Sequence, residues 1–230
     1  MHLLLADGEP LAVRDSTEAL DRIDTEIVLA LQRLRSDLLF VHAAALARGG
    51  RCCLLAAESG VGKSTTAWGL LHHGFSYASD ELSAIDPVTL RVHPYPRALC
   101  LKQQPPPPYG APPSTVQVDD CLHVPADALP CRSVGSPSPV AALFILERAE
   151  AARPASIRPI GAAEAAARVY PAVLNALAHP DRGLSPVLRI VREVPCFRLS
   201  LGPLEQNCVL IRDVFDSLEL PDRIARWGYR

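Results

Sequence analysis

Hydrophobic residues along the chain follow two spacings, and each spacing predicts a different kind of element. The first 36 residues carry apolar positions three or four residues apart, namely Leu20, Ile23, Ile27, Val28, Leu31 and Leu34. This spacing predicts an amphipathic helix from about Thr17 to Arg35, with Asp15 or Ser16 as the N-cap, because their side-chain oxygens accept hydrogen bonds from free helix amides. We expect residues 1–36 to form a strand and this helix, packed on the core of the following domain.

Two continuous apolar runs follow, at residues 38–47 and 52–57, and each has the length of a buried strand. Arg48-Gly49-Gly50-Arg51 lies between them, and paired glycines supply the positive φ angles of a tight hairpin turn. A hairpin makes its two strands antiparallel, so we expect a mixed sheet rather than a purely parallel one.

The rest of the pattern alternates short strands with helices. Strands are expected at 75–79, 82–85, 90–92, 140–146 and 196–201, and helices at 64–73, at 162–177, from Ser185, and at 204–218. Residues 103–139 break this pattern, because the four prolines of 105–108 cannot donate backbone hydrogen bonds. We interpret that segment as an irregular, proline-rich flap on one α/β domain, residues 37–230, with a mixed sheet.

Composition and charge exclude several classes of partner. The chain has 230 residues, of which 49% are hydrophobic and 21% charged, as in a globular protein. Its 23 basic and 25 acidic residues give a net charge of −2 without a basic block, which argues against a nucleic-acid partner. No apolar run approaches the roughly 18 residues of a membrane span, and residues 1–6 are too short for a signal peptide. The seven cysteines have no zinc-binding spacing and predict buried free thiols, so we expect a cytoplasmic protein with no membrane partner.

The segment Ala57-Glu58-Ser59-Gly60-Val61-Gly62-Lys63-Ser64 matches the P-loop (Walker A) pattern G-x-x-x-x-G-K-[ST] at all but its first position. Gly60 and Gly62 let backbone amides turn towards phosphate oxygens, and the helix that begins near Lys63 adds its positive dipole end. Lys63 would contact the β- and γ-phosphates, and Ser64 would bind Mg²⁺. The predicted ATP-binding residues are therefore Glu58, Ser59, Gly60, Val61, Gly62, Lys63, Ser64 and Thr65.

Asp80 and Glu81 stand at the end of the strand that follows the predicted P-loop helix. Two adjacent carboxylates could supply one oxygen ligand for Mg²⁺ and one general base for a hydroxyl nucleophile, and their order in these roles stays open. The predicted metal ligands are thus Ser64, Asp80 and Glu81. Arg97 and Lys102 could add positive charge opposite a transition state that spreads negative charge over the phosphoryl oxygens.

Six segments, taken in order, resemble the HPr kinase/phosphorylase superfamily, in particular its shorter HPr-kinase-related members. They cover roughly Asp37 to Leu218 and are Phe40–Ala45, Glu58–Thr65, Ser79–Leu82, Tyr95–Lys102, Ala142–Arg148 and Val194–Leu199. The P-loop alone is common to many nucleotide-binding proteins, whereas the ordered set is more specific.

The resemblance implies a single P-loop kinase domain like the C-terminal domain of HPr kinase, with a core similar to that of phosphoenolpyruvate carboxykinase. It also implies ATP and Mg²⁺ as cofactors and transfer of the γ-phosphoryl group to a hydroxyl, typically the serine of a peptide or protein. Asp80 matches the family's first acidic position and is the base we favour, and Glu81 stands where HPr kinase has a second aspartate. His42 matches a histidine near the transferred phosphate, so the predicted catalytic residues are Asp80, Glu81, His42 and Arg97.

Two features of HPr kinase have no clear counterpart in this sequence. One is its N-terminal regulatory domain, for which the 36 residues before Asp37 leave no room, and the other is its glycine-rich C-terminal signature loop. HPr as the acceptor, the reverse phosphorylase reaction and a hexamer are therefore not carried over, and a homo-oligomer stays open. Two other functions also stay open: a kinase for a small metabolite with a hydroxyl, and an ATP-binding regulatory module without transfer activity.

Overall fold

The computed structural model describes residues 2–6, 9–149 and 154–218, and the chain divides into two compact units, Met1–Ser36 and Asp37–Arg230. The first unit contains strands β1 (His2–Ala6) and β2 (Glu9–Val13), which pair antiparallel, and helix α1 (Ser16–Leu34). The sequence predicted one strand here, and the structure has a hairpin of two. The predicted helix is confirmed, with Asp15 as N-cap accepting a hydrogen bond from the backbone amide of Glu18 at 2.9 Å.

The second unit contains both strands and helices. Its described strands are β3 (Leu39–Val41), β4 (Ala43–Arg48), β5 (Arg51–Ala56), β6 (Ser76–Ser79), β7 (Ser83–Ile85), β8 (Arg91–His93), β9 (Leu99–Leu101), β10 (Val116–Val118), β11 (Cys121–Val124), β12 (Ser138–Arg148), β13 (Ser156–Pro159) and β14 (Cys196–Leu201). Its described helices are α2 (Lys63–His72), α3 (Ala162–Val169), α4 (Leu184–Glu193) and α5 (Leu204–Ser217), with 3₁₀ turns at Ala126–Ala128, Tyr170–Ala172 and Ala176–Ala178.

The largest described sheet has nine strands, and its central part has the order β6-β4-β5-β12-β14-β13. The strands β8, β7 and β3 extend it from the start of β12, and the sheet is mixed, as predicted. Its three middle strands, β5, β12 and β14, run parallel, and β4 and β13 run antiparallel to their neighbours. β6 is antiparallel to β4 and therefore has the same direction as β5. The residues that follow β5 and β6 consequently lie at one edge of the sheet, which is where α/β proteins commonly bind ligands.

His42 marks a break that the sequence did not predict. The run 38–47 was expected to be one strand, but β3 pairs with β7 and β4 pairs with β5 and β6, so the chain crosses between two pairing partners at His42. The His42 amide donates to the backbone oxygen of Ala172 at 2.7 Å instead of joining either ladder. Because of this bend, the His42 side chain does not follow the alternation of side chains along β3 and β4.

The two faces of the sheet carry separate hydrophobic cores. Leu55 and Phe144 pack with the residues of α2 and α5, whereas Leu54 and Ile145 pack with those of α3 and α4. Successive residues of a strand point to opposite faces of the sheet, and each face is buried in one of the two cores. This is why β5 and β12 are continuously apolar. The domain is therefore α/β, with a mixed sheet between two helical layers.

The proline-rich segment 103–139 is more regular than expected. Residues 114–124 contain no proline, and within them β10 and β11 form a three-stranded antiparallel sheet with β9. The segment is also held to α2, because the Trp68 Nε1–H donates to the backbone oxygen of Tyr109 at 2.6 Å and the Tyr109 side chain is only 4% exposed. The prediction of an irregular flap is wrong for β10 and β11.

Two helix boundaries also differ from the sequence prediction. The helix expected at 162–177 ends at Val169, because Pro171 lacks the amide that a continuing helix would need. α4 begins at Leu184 rather than at Ser185, and Asp181 accepts from the Ser185 amide at 2.6 Å. No helix within the described ranges is both long and apolar enough to cross a lipid bilayer.

Gly69 allows α2 and α5 to approach closely, and its substitution gives a test of this packing. A Cβ at residue 69 would lie 2.6 Å from the Cys208 Sγ and 2.9 Å from the Leu204 Cδ1. Gly69→Ala is therefore expected to lower the free energy of unfolding by about 1 to 3 kcal/mol in a urea titration. Combining it with Cys208→Ala should cost less than the sum of the two changes, because the second change removes the clashing atom. Stabilisation of the single variant by about 0.5–1 kcal/mol, as at an open helical glycine, would contradict this packing.

Candidate active site

The P-loop occupies residues 57–62, between the end of β5 and the start of α2. Gly60 and Gly62 have φ angles of +79° and +125°, values that side chains disfavour, so both glycines are required by the backbone itself. Gly62 is the N-cap residue of α2 and makes no side-chain cap. The first amides of α2 are thus not satisfied by a capping side chain and form a site for an anion.

Lys63 and Asp80 form a buried ion pair beneath this loop. The Lys63 Nζ lies 2.5 Å from the Asp80 Oδ1, and the two residues are 7% and 1% exposed. The same Oδ1 accepts the backbone amide of Glu81 at 3.0 Å. The contact exists because β5 and β6 have the same direction, which brings the residue after β6 next to the helix after β5.

The second oxygen of Asp80 has no partner. Its Oδ2 is buried and accepts no hydrogen bond from the part of the chain that the structure describes. An unsatisfied buried polar atom costs about 1 to 3 kcal/mol, and more when the group is charged. A buried carboxylate oxygen without a hydrogen-bond donor is suited to a cation, and oxygen is the ligand type that Mg²⁺ prefers.

Glu81 has a strained backbone and faces the site. Its φ angle is +64°, in the left-handed region that residues with a Cβ seldom adopt. Such strain costs on the order of 1 to 3 kcal/mol and concentrates at functional positions. The strain turns the side chain of Glu81 into the cavity, whereas that of Asp80 points into the interior towards Lys63.

His42 lies half-buried on the same cavity wall. Burial lowers the pKa of its imidazole below the ordinary value of 6.5, and the Lys63 charge lowers it further, while the Glu81 and Asp80 carboxylates oppose both effects. The ring is therefore neutral at pH 7, with one nitrogen as donor and the other as acceptor.

These residues surround one cavity of about 980 Å³, which falls in the size range of small-molecule sites. The predicted site residues that line it are His42, Glu58, Ser59, Gly60, Val61, Gly62, Lys63, Ser64, Thr65 and Glu81. Asp80 and Arg97 are not among the described residues of the lining. Arg97 lies instead near the buried Tyr77, where burial raises the pKa of the phenol and the Arg97 charge opposes that rise.

Two further cations contact the P-loop. The Lys102 Nζ donates to the Ser59 Oγ at 3.3 Å, and the Arg148 guanidinium donates to the backbone oxygen of Gly60 at 2.6 Å. Lys102 was singled out from the sequence, but Arg148 was not assigned a role. Arg148 is the last residue of β12, and the carboxyl end of a parallel strand beside the P-loop strand was the signal that could have identified it.

The start of α5 was also missed as part of the site. Leu201 to Leu204, Gln206 and Asn207 line the same cavity as Glu81 and Lys102. The buried Asn207 fixes this junction, because its side chain accepts from the Gly202 amide at 2.9 Å and donates to the Gly202 oxygen at 3.0 Å. The signal in the sequence was the short link between β14 and α5 at the same sheet edge.

The donor set fits Mg²⁺ better than a protein-enclosed metal. Within residues 2–6, 9–149 and 154–218 there is no cluster of three or more His, Cys, Asp or Glu side chains that could hold a metal. Mg²⁺ is usually held by one or two carboxylates with water and substrate phosphates, so it does not need such a cluster. Ser64, Asp80 and Glu81 supply oxygen atoms of this kind.

Comparison with known proteins adds little information about this site. No protein-family model matches the sequence, and no curated protein matches it. A similar solved structure is the Hpr(Ser) kinase/phosphatase from Coxiella burnetii, with 15% sequence identity and a TM-score of 0.41 over 83% of this chain and 93% of that one. The function proposed below therefore rests on the chain's own residues.

Substitution of Gly62 tests whether the loop conformation is required for stability and for ATP binding. Gly62→Ala is expected to lower the free energy of unfolding by about 1 to 3 kcal/mol, because a φ of +125° is strained for alanine. ATP binding, measured by calorimetry, should weaken in the same variant. Gly135→Ala is the matched control, since its Cβ meets nothing within 4 Å and its φ is not positive, so both properties should be kept. A Gly62→Ala protein with unchanged stability and ATP affinity would contradict the loop geometry.

Proposed function

We propose that this chain is an ATP- and Mg²⁺-dependent kinase that transfers the γ-phosphoryl group to a hydroxyl, the serine of a peptide or protein. The observation that carries the proposal is the Lys63–Asp80 ion pair of 2.5 Å beneath a P-loop that opens into a cavity of about 980 Å³. This pair joins Lys63, which would bind phosphate, to Asp80, which would bind a cation or a proton.

The phosphate-binding side of the site is positively polarised. The amides at the start of α2 and its dipole attract an anion, and Lys63, Lys102 and Arg148 surround the loop. ATP with Mg²⁺, when bound, would supply the phosphoryl group and a divalent charge. Lys63 would then leave the Asp80 oxygen for phosphate oxygens, because the phosphates are the stronger anion and compete with Asp80 for the lysine.

Asp80 and Ser64 are our proposed Mg²⁺ ligands. Once Lys63 turns to phosphate, the Asp80 Oδ1 keeps only the Glu81 amide and the Oδ2 has no hydrogen-bond partner among the described residues, so the carboxylate would lack a positive partner. Ser64 lines the cavity one residue after Lys63, in the position of the P-loop serine. Glu81 follows Asp80 and lines the same cavity, so it could share the role.

Glu81 is our proposed general base. Sequence reasoning favoured Asp80, but the Asp80 carboxylate is held by Lys63 and by the Glu81 amide and would be occupied by the cation once Lys63 leaves, whereas Glu81 lines the cavity. A general base must come within hydrogen-bond reach of the hydroxyl whose proton it takes. His42, neutral and on the same wall, would donate a hydrogen bond to a phosphoryl oxygen. Arg97 has no contact with the cavity, so we assign it no role in transfer.

The acceptor must reach the site from the mouth of the cavity. A volume of about 980 Å³ lies at the upper end of the range of small-molecule sites, so the cavity has room for a nucleotide and for the end of an acceptor side chain. The serine side chain of a peptide or protein can enter through the mouth and present its hydroxyl there. The preference for a polypeptide acceptor over a small metabolite rests on the resemblance of the sequence to HPr kinase, and the acceptor assays distinguish the two.

The proposal is tested with γ-labelled ATP, Mg²⁺ and a library of serine-containing peptides, with calorimetry of ATP binding alongside. Lys63→Ala should weaken ATP binding at least tenfold. Glu81→Gln should bind ATP like the wild type but lose roughly 10² to 10⁴ in transfer rate, because a base acts only in the transition state. Asp80→Asn should raise the Mg²⁺ concentration that transfer requires.

The control is Glu164→Gln, which changes an exposed carboxylate that pairs with Arg158 away from the cavity, and it should keep both activities. Stimulation of ADP release by small alcohols alone would favour a metabolite kinase. ATP binding without transfer to any acceptor, together with unchanged behaviour of Glu81→Gln, would overturn the kinase and leave a nucleotide-binding regulatory module.

A further inference from the structure

Two cysteines lie together on the wall of the candidate active site. Cys100 is in β9 and Cys121 is in β11, and both line the cavity. The two strands pair antiparallel with Cys100 opposite His123. Cys121 is two residues from His123, and residues two apart in a strand share a face, so both thiols point to the same side of this small sheet.

The Cys100 thiol and the imidazole are in contact, since the Cys100 Sγ lies 3.4 Å from the His123 Nε2. Cys121 is the diagonal neighbour of Cys100 across the β9–β11 pair and is close enough to raise the pKa of the Cys100 thiol. Both cysteines are partly exposed, unlike Cys52, Cys53, Cys196 and Cys208, which are buried. The sequence-based expectation of buried thiols is therefore correct for these four cysteines and wrong for Cys100, Cys121 and Cys131.

The cluster does not have the geometry of a metal site. No group of three His, Cys, Asp or Glu side chains in the described ranges is arranged to hold a metal, and this includes Cys100, Cys121 and His123. The chemistry left to two adjacent thiols with an imidazole is thiol–disulfide exchange, for which the imidazole can accept a proton.

We propose that Cys100 and Cys121 form a thiol modification site. Low-molecular-weight disulfides, such as oxidised glutathione, convert it first to an adduct and then to a Cys100–Cys121 disulfide. Modification of this site and binding of a nucleotide in the cavity exclude each other. The exclusion rests on the proposed function, because it requires the nucleotide to occupy this cavity. The exchange itself does not depend on that function.

The exchange proceeds in two balanced steps. The Cys121 thiolate attacks one sulfur of the disulfide, forming a mixed disulfide and releasing one thiolate. Cys100 then gives its proton to the His123 Nε2 and attacks the Cys121 sulfur, releasing the second thiolate. Two protein thiols are oxidised and one disulfide is reduced to two thiols. Burial raises the pKa of the Cys100 thiol to about 12, and Cys121 and the Glu81 and Asp80 charges add to this rise. A thiol that resists deprotonation is a poor nucleophile towards a disulfide from solution, so we assign Cys100 to the second, intramolecular step.

Both products change the nucleotide cavity. A glutathione adduct on Cys121 would fill space next to the P-loop, because the two share one lining. The intramolecular disulfide would constrain the paired strands β9 and β11 at Cys100 and Cys121 and shift Lys102, which follows β9 and donates to the P-loop Ser59 at 3.3 Å. The nucleotide, in turn, would cover the two thiols.

The experiment exposes the full chain to oxidised glutathione, with and without ATP and Mg²⁺, and follows acid-quenched samples by intact mass and peptide mapping. The wild type should lose two hydrogens in mass through a Cys100–Cys121 bond. Cys100→Ser should instead accumulate glutathione on Cys121, because nothing resolves the adduct. Cys121→Ser should leave this site unmodified. Cys131→Ser is the matched control, since Cys131 is partly exposed but lies outside the cavity lining, and it should behave like the wild type.

ATP with Mg²⁺ should slow modification at Cys121 at least tenfold. If calorimetry detects no ATP binding but the pair still oxidises selectively, the kinase proposal fails and the thiol site stands. If ATP binds and does not protect the pair, the mutual exclusion is overturned. Modification of Cys131 in preference to Cys121, or a Cys121 adduct that forms in the wild type and never resolves, would overturn the thiol site.

Discussion

The buried ion pair between Lys63 and Asp80 is the interaction on which the candidate site depends. Removing both charges from water costs several kcal/mol per ion, and the attraction at 2.5 Å must offset that cost. The offset is incomplete, because one Asp80 oxygen has no partner among the described residues. In our proposal the pair is a resting arrangement, which Lys63 leaves for phosphate and Asp80 leaves for a cation.

The fold creates this pair by bringing separate segments to one edge of a mixed sheet. β5 delivers the P-loop, β6 delivers Asp80 and Glu81, β12 delivers Arg148, and β14 leads into the start of α5. The strain at Glu81 and the bend at His42 turn their side chains into the same cavity. Neither feature stabilises the domain by itself, which is typical of positions whose conformation serves a site rather than the core.

Local chemistry made much of this predictable from the sequence. The hairpin at Gly49 and Gly50, the P-loop and the Asp15 cap are fixed by backbone angles and capping that a few adjacent residues determine. The break at His42, the contact of Arg148 with the P-loop and the meeting of Cys100 with Cys121 depend on which distant strands pair. Hydrophobic spacing reports the burial of a residue but not the identity of its neighbours, so these features required the structure.

The most direct test of the central claim is a crystal structure of the protein with Mg²⁺ and a non-hydrolysable ATP analogue. The Lys63 Nζ is expected to leave the Asp80 Oδ1 for phosphate oxygens, and Asp80 and Ser64 are expected to turn to the metal, with Glu81 facing the open end of the phosphate chain. An analogue bound elsewhere, with the Lys63–Asp80 distance still at 2.5 Å, would contradict it.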